Sequence, residues 1–236
     1  MPVYRNVPPG GAFDNPGAVA QGRHTNYGDA HTLPLGLGRH NLADEGSYFT
    51  AITPTPGTGI VDGVVTTFVE TTPSILIYNG TSNKRLFLDF IRLTVTVAPV
   101  GGTRVRFTST IDDGNRYTSG GTALTINNVN MDSAVSSSGV SIYKGAITAT
   151  AASGSRRVIA DTIYRWGTIG IVGDVYEQVF GEPSTGTITP VATVSTFSKG
   201  LPPVVLGPGD SFVQVQWEAS QSTAPTTAVE MGFWLR

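Results

Sequence analysis

Residues 84–98 read KRLFLDFIRLTVTVA, and this stretch decides the fold class. Apolar side chains recur along it with a period of two, which is the period of a β-strand. One face is predicted to carry Phe87, Ile91, Leu93, Val95 and Val97, with Asp89 as the exception, and the other face Leu86, Leu88, Phe90, Arg92, Thr94 and Thr96. Because the first half is apolar on both faces, we expect that end of the strand to be covered from both sides.

The chain from residue 59 onward repeats this pattern. β-Branched and aromatic residues alternate with polar ones, and Gly, Pro, Asn or Asp interrupts them roughly every eight to fifteen residues. The pattern predicts strands at residues 60–71, 74–78, 84–98, 103–111, 122–131, 141–150, 156–166, 174–180, 185–197, 211–218 and 227–235. No window has the apolar stripe of a helix, so we expect helix in less than roughly a tenth of the chain. The prediction is an all-β, antiparallel β-sandwich, jelly-roll-like, over residues 51–236.

Turn signals predict how some of these strands connect. The sequence LGPGD at residues 206–210 is a tight turn that leads into the strand at 211–218. We expect that strand to pair as a hairpin with the final strand at 227–235. The sequence DDGN at residues 112–115 lacks the spaced ligands of a calcium loop and is interpreted as a hairpin turn, as is Asn79-Gly80.

Residues 1–50 have a different character. The first 46 residues hold 8 of the 29 glycines, 5 of the 15 prolines and all three histidines, without strand or helix periodicity. Such a stretch cannot bury enough apolar surface on itself to offset an ordering cost of about 1–2 kcal/mol per residue, so we expect an extended N-terminal arm that becomes ordered on its target. The alternative is an arm that packs across its own sandwich. The predicted docking residues of the arm are Tyr4, Val7, Phe13, Tyr27, Leu33, Leu35, Leu37 and Leu42.

The composition limits the class of function. Fifteen basic residues stand against 17 acidic ones, for a net charge of -2, which argues against a protein that coats nucleic acid. Without cysteine, no disulfide can hold the fold. The sequence shows no signal peptide and no run of about 18 apolar residues, so we expect no membrane partner and a polypeptide made in the cytoplasm. Only 14% of residues are charged, and a surface of uncharged polar groups suits contact with neighbouring subunits.

Three groups of residues could carry chemistry, and each has a simpler interpretation. A zinc site needs closer ligand spacing than that of His24, His31 and His40. No spacing selects a glycosidase pair among Asp161, Asp174, Glu177 and Glu218. Core packing is more common than a sugar-binding platform for strand aromatics such as Tyr143, Tyr164, Trp166, Tyr176 and Trp217. We therefore expect a protein without catalytic activity, metal or cofactor.

Three short stretches carry a resemblance to a known family. They are ILIYNGTSNKRLFLDFIRL at residues 75–93, RYTSGGTALT at residues 116–125 and LGPGDSF at residues 206–212. In these stretches the chain resembles virion structural proteins of tailed bacteriophages, particularly the jelly-roll type that decorates or cements capsids. The resemblance implies a homotrimer or similar oligomer that binds the major capsid protein on the outside of a capsid lattice. The expected location is therefore the virion.

Two other classes of structural protein stay open at this point. A phage receptor-binding or fibre and tail module would share the β-rich composition, although such modules often carry repeats and this sequence has none. A single jelly-roll capsid subunit would have a similar size, although the missing basic arm argues against genome packaging.

Overall fold

The computed structural model describes residues 23–24, 30–31, 38–63, 66–167, 169–182 and 195–236. The chain divides into two units, Met1–Gly38 and Arg39–Arg236. In the first unit, β1 (Arg23–His24) pairs antiparallel with β2 (Ala30–His31). A short helix, α1 (Gly38–Asp44), leads into the second unit. Neither β1, β2 nor α1 was expected from the sequence, and no helix in the described ranges is long and apolar enough to cross a membrane.

Two facing sheets make up the second unit. Sheet I has the order β10 (Thr125–Asn128), β3 (Tyr48–Ile52), β18 (Thr226–Leu235), β6 (Leu86–Val97), β13 (Val175–Phe180) and β14 (Thr196–Leu201). Two short strands join it, β15 (Val204–Leu206) against β6 and β4 (Ile60–Val61) against β18. Sheet II has the order β12 (Arg157–Trp166), β8 (Arg104–Asp112), β16 (Ser211–Gln216), β5 (Ile75–Asn79), β11 (Val140–Ala149) and β9 (Tyr117–Ala123). A separate ribbon pairs β7 (Val100–Gly101) with β17 (Gln221–Thr223).

The strand order is that of a jelly roll. Eight strands form its frame, and in chain order they are β3, β5, β6, β8, β12, β13, β16 and β18. If these strands are numbered one to eight in chain order, their spatial order is 1-8-3-6 in sheet I and 2-7-4-5 in sheet II. This is the eight-stranded, two-Greek-key arrangement. The predicted all-β sandwich is confirmed, because more than half of the described residues lie in strands and α1 is the helix among them.

The main core lies between the sheets. Sheet I contributes large apolar side chains such as Phe49, Leu88, Ile91, Leu93, Tyr176 and Phe233. Sheet II contributes Ile75, Ile77, Phe107, Ile142, Tyr164 and Phe212. Every one of these side chains is almost fully buried. At roughly 1.5–3 kcal/mol for each buried large side chain, this layer supplies the dominant favourable term in folding.

A bulge interrupts the central strand β6. Phe233 of β18 pairs with Leu88 and Gly232 pairs with Phe90, which leaves Asp89 without a partner in the ladder to β18. A bulge inserts one extra residue into one strand and bends it locally. In β6 that extra residue is a buried carboxylate.

The bulge reverses the alternation along β6. The buried apolar residues are Leu86 and Leu88 before it, and Ile91, Leu93 and Val95 after it. The prediction that Phe87 shares a face with Ile91 is therefore wrong. Phe87 lies on the outer face, where its ring stacks on Trp234 with the ring centroids 5.4 Å apart. A strict period of two cannot describe a strand that contains one extra residue.

The three predicted hairpins are wrong. Asn79-Gly80 lies at the end of β5 in sheet II, whereas the next strand, β6, lies in sheet I, so this turn does not close a hairpin. β16 lies between β8 and β5 in sheet II, whereas β18 lies between β3 and β6 in sheet I, so the chain crosses between the sheets over residues 217–225. Similarly, β8 and β9 share sheet II but are not neighbours, because β9 pairs with β11. Alternation identifies a strand, but it does not identify the partner of that strand.

Sheet II is also covered on its outer face. A second apolar cluster there contains Leu76, Ile147, Ala149, Val213 and Val215, with Phe68, Tyr78, Tyr117, Tyr143 and Trp217 packed against it. As a result, all six residues of β16 are buried. A strand buried on both faces belongs in the interior of its sheet, which is where β16 lies.

Several predicted strands differ in extent from those observed. Of the predicted strand at 60–71, the structure keeps the two residues of β4. Part of the predicted strand at 185–197 lies outside the described residues, and β14 begins at Thr196. β3 and β15 were missed, and β3 crosses the predicted boundary at residue 50, with Phe49 in the core.

Phe233 provides a test of the core. Its side chain is fully buried, so Phe233→Ala is expected to lower the free energy of unfolding by about 3–5 kcal/mol. Val205→Ala is the control, because Val205 is exposed on β15 of the same sheet and its truncation should cost less than about 0.5 kcal/mol. Denaturant unfolding followed by circular dichroism measures both. Equal losses at the two positions would contradict the core described above.

Candidate interaction surface

The helix α1 ends in a defined capping motif. The Ser47 amide donates to the Leu42 carbonyl and the Gly46 amide donates to the Ala43 carbonyl, each at 2.9 Å. This pair of hydrogen bonds is a Schellman motif, in which the residue after the helix adopts the left-handed conformation. Gly46 occupies that position with φ +70°. The motif turns the chain from α1 directly into β3.

Side chains of the loop at residues 128–135 donate hydrogen bonds to the same turn. Asn128 Nδ2 donates to the carbonyls of Gly46 at 2.8 Å and Val135 at 3.0 Å. Asn130 Nδ2 donates to the carbonyl of Asp44 at 3.0 Å. The last carbonyls of a helix have no partner within the helix, so these amides satisfy groups that would otherwise face water. We call α1, residues 45–48, this loop and Asp89 the N-terminal junction.

Asp89 connects the N-terminal junction to the centre of sheet I. The Tyr48 hydroxyl donates to Asp89 Oδ2 at 2.6 Å, and Arg39 Nη2 donates to Asp89 Oδ1 at 2.8 Å. The Asp89 carboxylate is nearly buried, while the Arg39 side chain is 54% exposed. A buried carboxylate is costly unless it is paired, and the two donors supply that pairing. Arg39 also reaches Glu182 Oε1 at 3.4 Å.

The Tyr48 hydroxyl is fixed in its neutral form. Burial, followed by the hydrogen bond and the charge of Asp89, raises its pKa well above the usual range. Space beside it is limited, because a Cβ at Gly232 would overlap both the Tyr48 hydroxyl and the Phe90 ring. Asp89 in the bulge, Gly232 and Tyr48 therefore pack together as one unit.

The outer face of sheet I continues from this unit as a row of charges. Arg92 in β6 donates to Glu177 in β13 at 2.7 Å and to Glu230 in β18 at 2.9 Å. These are cross-strand neighbours, since Arg92 is in register with both glutamates. The three side chains are partly exposed, so they contribute more to strand register than to stability.

The loop of the N-terminal junction also presents apolar groups to solvent. Met131 is 94% exposed and Val129 is 41% exposed. Met is a flexible side chain that adapts to irregular partner surfaces. Two exposed apolar side chains in one loop are available for contact with another surface.

Most of the predicted docking residues cannot be placed. Tyr4, Val7, Phe13, Tyr27, Leu33, Leu35 and Leu37 lie outside the described residues. Leu42 is described, and it is half-buried within α1, where its carbonyl accepts the Ser47 amide bond of the Schellman motif. Leu42 therefore belongs to the N-terminal junction.

The four candidate carboxylates are each paired with an arginine. The pairs are Asp161–Arg106, Asp174–Arg165, Glu177–Arg92 and Glu218–Arg104. Asp161 lies in sheet II and Glu177 in sheet I, so the pairs are distributed over the sandwich. Each arginine binds its carboxylate in a charge-assisted ion pair.

Two of these carboxyl groups have clearly lowered pKa values. Hydrogen bonds from Arg106, with a further one from Thr108, lower the pKa of Asp161. At Glu177, burial acts to raise the pKa, but hydrogen bonds from Arg92 and Ser198 outweigh it and lower the pKa. A general acid needs a raised pKa, so neither group is tuned for that role.

The aromatic residues serve mainly in packing. Tyr164 and Tyr176 lie in the main core, as the packing interpretation predicted, and Tyr143 and Trp217 pack against the outer cluster of sheet II. His40 is exposed on α1. Within the described ranges, no group of three or more His, Cys, Asp or Glu side chains is placed to hold a metal ion.

The N-terminal junction was missed by the sequence prediction, although two signals for it exist. Asp89 is a carboxylate within an apolar strand, and such a residue needs a partner if the strand is buried. The sequence LADEG at residues 42–46 ends in the glycine that commonly follows a helix. Arg39 and Tyr48 carry no comparable signal, because their partner is distant in sequence.

No family model, no curated protein and no solved structure matches this chain. The functional interpretation therefore depends on the chain's own residues.

Gly46 tests the geometry of the N-terminal junction. Gly46→Ala is expected to lower the free energy of unfolding by about 2 kcal/mol or more, because the left-handed conformation costs an alanine about 1–2 kcal/mol and its Cβ would also overlap Ser133. Gly57→Ala isolates the backbone cost, since Gly57 has φ +79° and open space around it. Gly154→Ala, with open space and no positive φ, should be near neutral. Thermal unfolding of the three variants gives the order, and a Gly46 variant as stable as the Gly154 variant would contradict the contact with Ser133.

Proposed function

We propose that this protein is a non-enzymatic virion structural protein that binds the exterior of a bacteriophage capsid, which it decorates and cements. Its partners in this proposal are the major capsid protein and further copies of itself. The observation that carries the proposal is the N-terminal junction, where Arg39 and Tyr48 bind the buried Asp89 carboxylate at the centre of sheet I. The segment ahead of the sandwich is the part expected to bind the capsid.

The N-terminal junction suits an attachment point under load. β6 is paired at both edges, with β18 on one side and β13 and β15 on the other. A force on the chain at Arg39 passes through α1 into β3, which pairs with β10 and β18, and the bonds of Arg39 and Tyr48 to Asp89 connect the same region to β6. An arm that holds a decoration protein on a capsid needs such a fixed origin.

The state of the charged groups supports a structural role over a catalytic one. The carboxylates that could serve a hydrolase are engaged by arginines, and the pKa values of Asp161 and Glu177 are lowered. These ion pairs tie neighbouring strands to one another. A low-charge surface of uncharged polar groups remains for contact with other subunits.

A second candidate is a single jelly-roll capsid subunit. The observation that favours it is the eight-strand order, which is shared by viral capsid domains. The two candidates differ in where the protein lies, since a capsid subunit forms the shell and a decoration protein binds on top of it. Imaging of the purified virion separates them, and it also identifies a fibre or tail module.

Removal of residues 1–38 tests the proposed attachment. A truncated chain that starts at Arg39 keeps α1 apart from Gly38, together with Tyr48 and Phe49, whereas a start at Thr50 would remove two buried residues of β3. We expect the truncated chain to fold, to show the β-rich circular dichroism of the full chain, and to lose binding to capsids that lack the protein. Cosedimentation with such capsids measures the loss.

A full-length variant provides the matched control for that experiment. Leu33→Ser, Leu35→Ser and Leu37→Ser together should weaken capsid binding without changing the melting temperature, while Thr25→Ser with Thr32→Ser should leave binding unchanged. Undiminished binding by the truncated chain would show that the segment ahead of the sandwich is not the anchor.

The proposal includes a homo-oligomer, and a trimer is the state that the family resemblance implies. Light scattering of the full-length protein at micromolar concentration is expected to give about three times the chain mass of 24.8 kDa. Association buries uncharged polar and apolar surface in a chain without disulfides, so it should also raise the melting temperature with concentration. A mass near that of the single chain would contradict this prediction.

A further inference from the structure

A lysine and an aspartate contact each other and are buried inside the sandwich. Lys144 lies in β11 and Asp62 follows β4, and Lys144 Nζ contacts Asp62 Oδ1 directly. The exposed fractions of the two side chains are 0% and 1%. Charged groups are almost never buried this completely unless they are paired, so the two residues form one chemical unit.

Local geometry brings these two residues together. β4 pairs with β18 of sheet I, while β11 belongs to sheet II, so the contact links the two sheets. Gly145 follows Lys144 with φ +105°, and a Cβ there would lie 2.8 Å from Ile60 Cγ2 and 3.0 Å from the Val61 carbonyl oxygen. Glycine therefore allows β4 to lie against the backbone of β11. Asp62 is held further by its own amide, which donates to the Pro225 carbonyl at 3.0 Å.

The Lys144 amine loses its proton more easily than the amine of an ordinary lysine, and the unprotonated amine is the nucleophilic form. Burial lowers the pKa of Lys144 to about 7. Near neutral pH, a large fraction of the amine is then unprotonated and carries a free electron pair. An ordinary exposed lysine, with a pKa near 10.4, is almost entirely protonated under the same conditions.

We propose that Lys144 and Asp62 are joined by an intramolecular amide bond. One proton passes from the Lys144 ammonium to the Asp62 carboxylate, which leaves a neutral amine and a neutral carboxylic acid. The Nζ electron pair then forms a bond to Cγ of Asp62, one Cγ–O bond breaks, and the departing hydroxyl takes a second proton from nitrogen. The products are a secondary amide and one water, and nothing is oxidised or reduced.

The site favours this condensation in two ways. Contact within a rigid core replaces an encounter in solution, and well-oriented intramolecular reactions reach effective molarities of about 10⁵–10⁸ M. The neutral pair also avoids the cost of burying two charges. Thr227 is a positioning residue, since its hydroxyl donates to Asp62 Oδ2 at 3.4 Å, and it is itself buried.

A second buried pair in the same sheet provides an internal comparison. Arg116 Nη1 contacts Asp112 Oδ2 at 2.8 Å, and both side chains are buried. A guanidinium stays protonated and has no free electron pair to attack a carboxyl group. At Asp112, burial acts to raise the pKa, but hydrogen bonds from Ser153 and Arg116 outweigh it and lower the pKa. This pair therefore stays ionic, and the proposal applies to Lys144 and Asp62.

Intact mass spectrometry of the denatured, full-length protein tests the proposal. The expected mass is below the sequence mass by one water, about 18 Da. Asp112→Asn should show the same deficit relative to its own sequence mass. Lys144→Met and Asp62→Ala should each show none, and Lys144→Met should melt at a lower temperature than the native chain. A native mass equal to the sequence mass would overturn the proposal, whatever the variants do.

Peptide mapping decides where the water was lost. An amide at Lys144 blocks tryptic cleavage there, so residues 117–156 should appear as one peptide, covalently joined to residues 40–84. Asp62-Gly63 and Asp113-Gly114 can lose water by a different route, which closes a ring on the following amide nitrogen. That product leaves the two peptides separate and Lys144 cleavable. Finding the deficit in such separate peptides would also overturn the proposal.

Discussion

A buried carboxylate at the middle of the central strand constrains the rest of this structure. Asp89 is the extra residue of the β6 bulge, and its carboxylate needs donors because burial of an unpaired charge is costly. Tyr48 and Arg39 provide them, from the first strand of the frame and from the helix that precedes it. The same bulge sets which residues of β6 face the core. The packing of sheet I and the position of the N-terminal junction therefore depend on one side chain.

Sheet II uses buried charge in a different way. Its pairs Lys144–Asp62 and Arg116–Asp112 are almost fully buried, and a buried ion pair must be well satisfied to offset its desolvation. Arg116 meets this requirement with further hydrogen bonds to the Thr150 and Glu70 carbonyls. The proposed amide meets it at Lys144 by removing both charges. Since the linked residues are 82 apart in sequence, the chain-entropy model assigns such a cross-link about 4–5 kcal/mol of stabilisation.

The fold class could be predicted from the sequence because alternation is a local property. The strand at residues 84–98, the closing strand and most of the others were identified from it. Alternation carries no information on partners, so the pairing of β16 with β5 and β8 was missed. The helix α1 was missed for a related reason. It has seven residues, too few for an apolar stripe, and it is held by Gly46 and by Asn128 and Asn130, which lie far along the chain.

The candidate sites were harder to predict than the fold. Lys144 follows Tyr143 in a strand where a charged residue is expected to face water, yet the inward face of β11 carries Val140, Ile142 and Lys144. Burial of Lys144 is possible because Asp62, which follows β4, pairs with it. This contact depends on how the strands of both sheets are arranged.

The placement of charge bears on the proposed function. A chain with few charged residues could use them on the surface for solubility, but here many of them join strands or lie inside the sandwich. With 14% of its residues charged, the chain has few ionised groups to desolvate when its surface is covered by a neighbour. A domain stiffened from within, with Arg39 of α1 bonded to a central strand, is suited to stay folded while it is held on a larger assembly. That combination, more than any single residue, is why we propose a capsid-bound role.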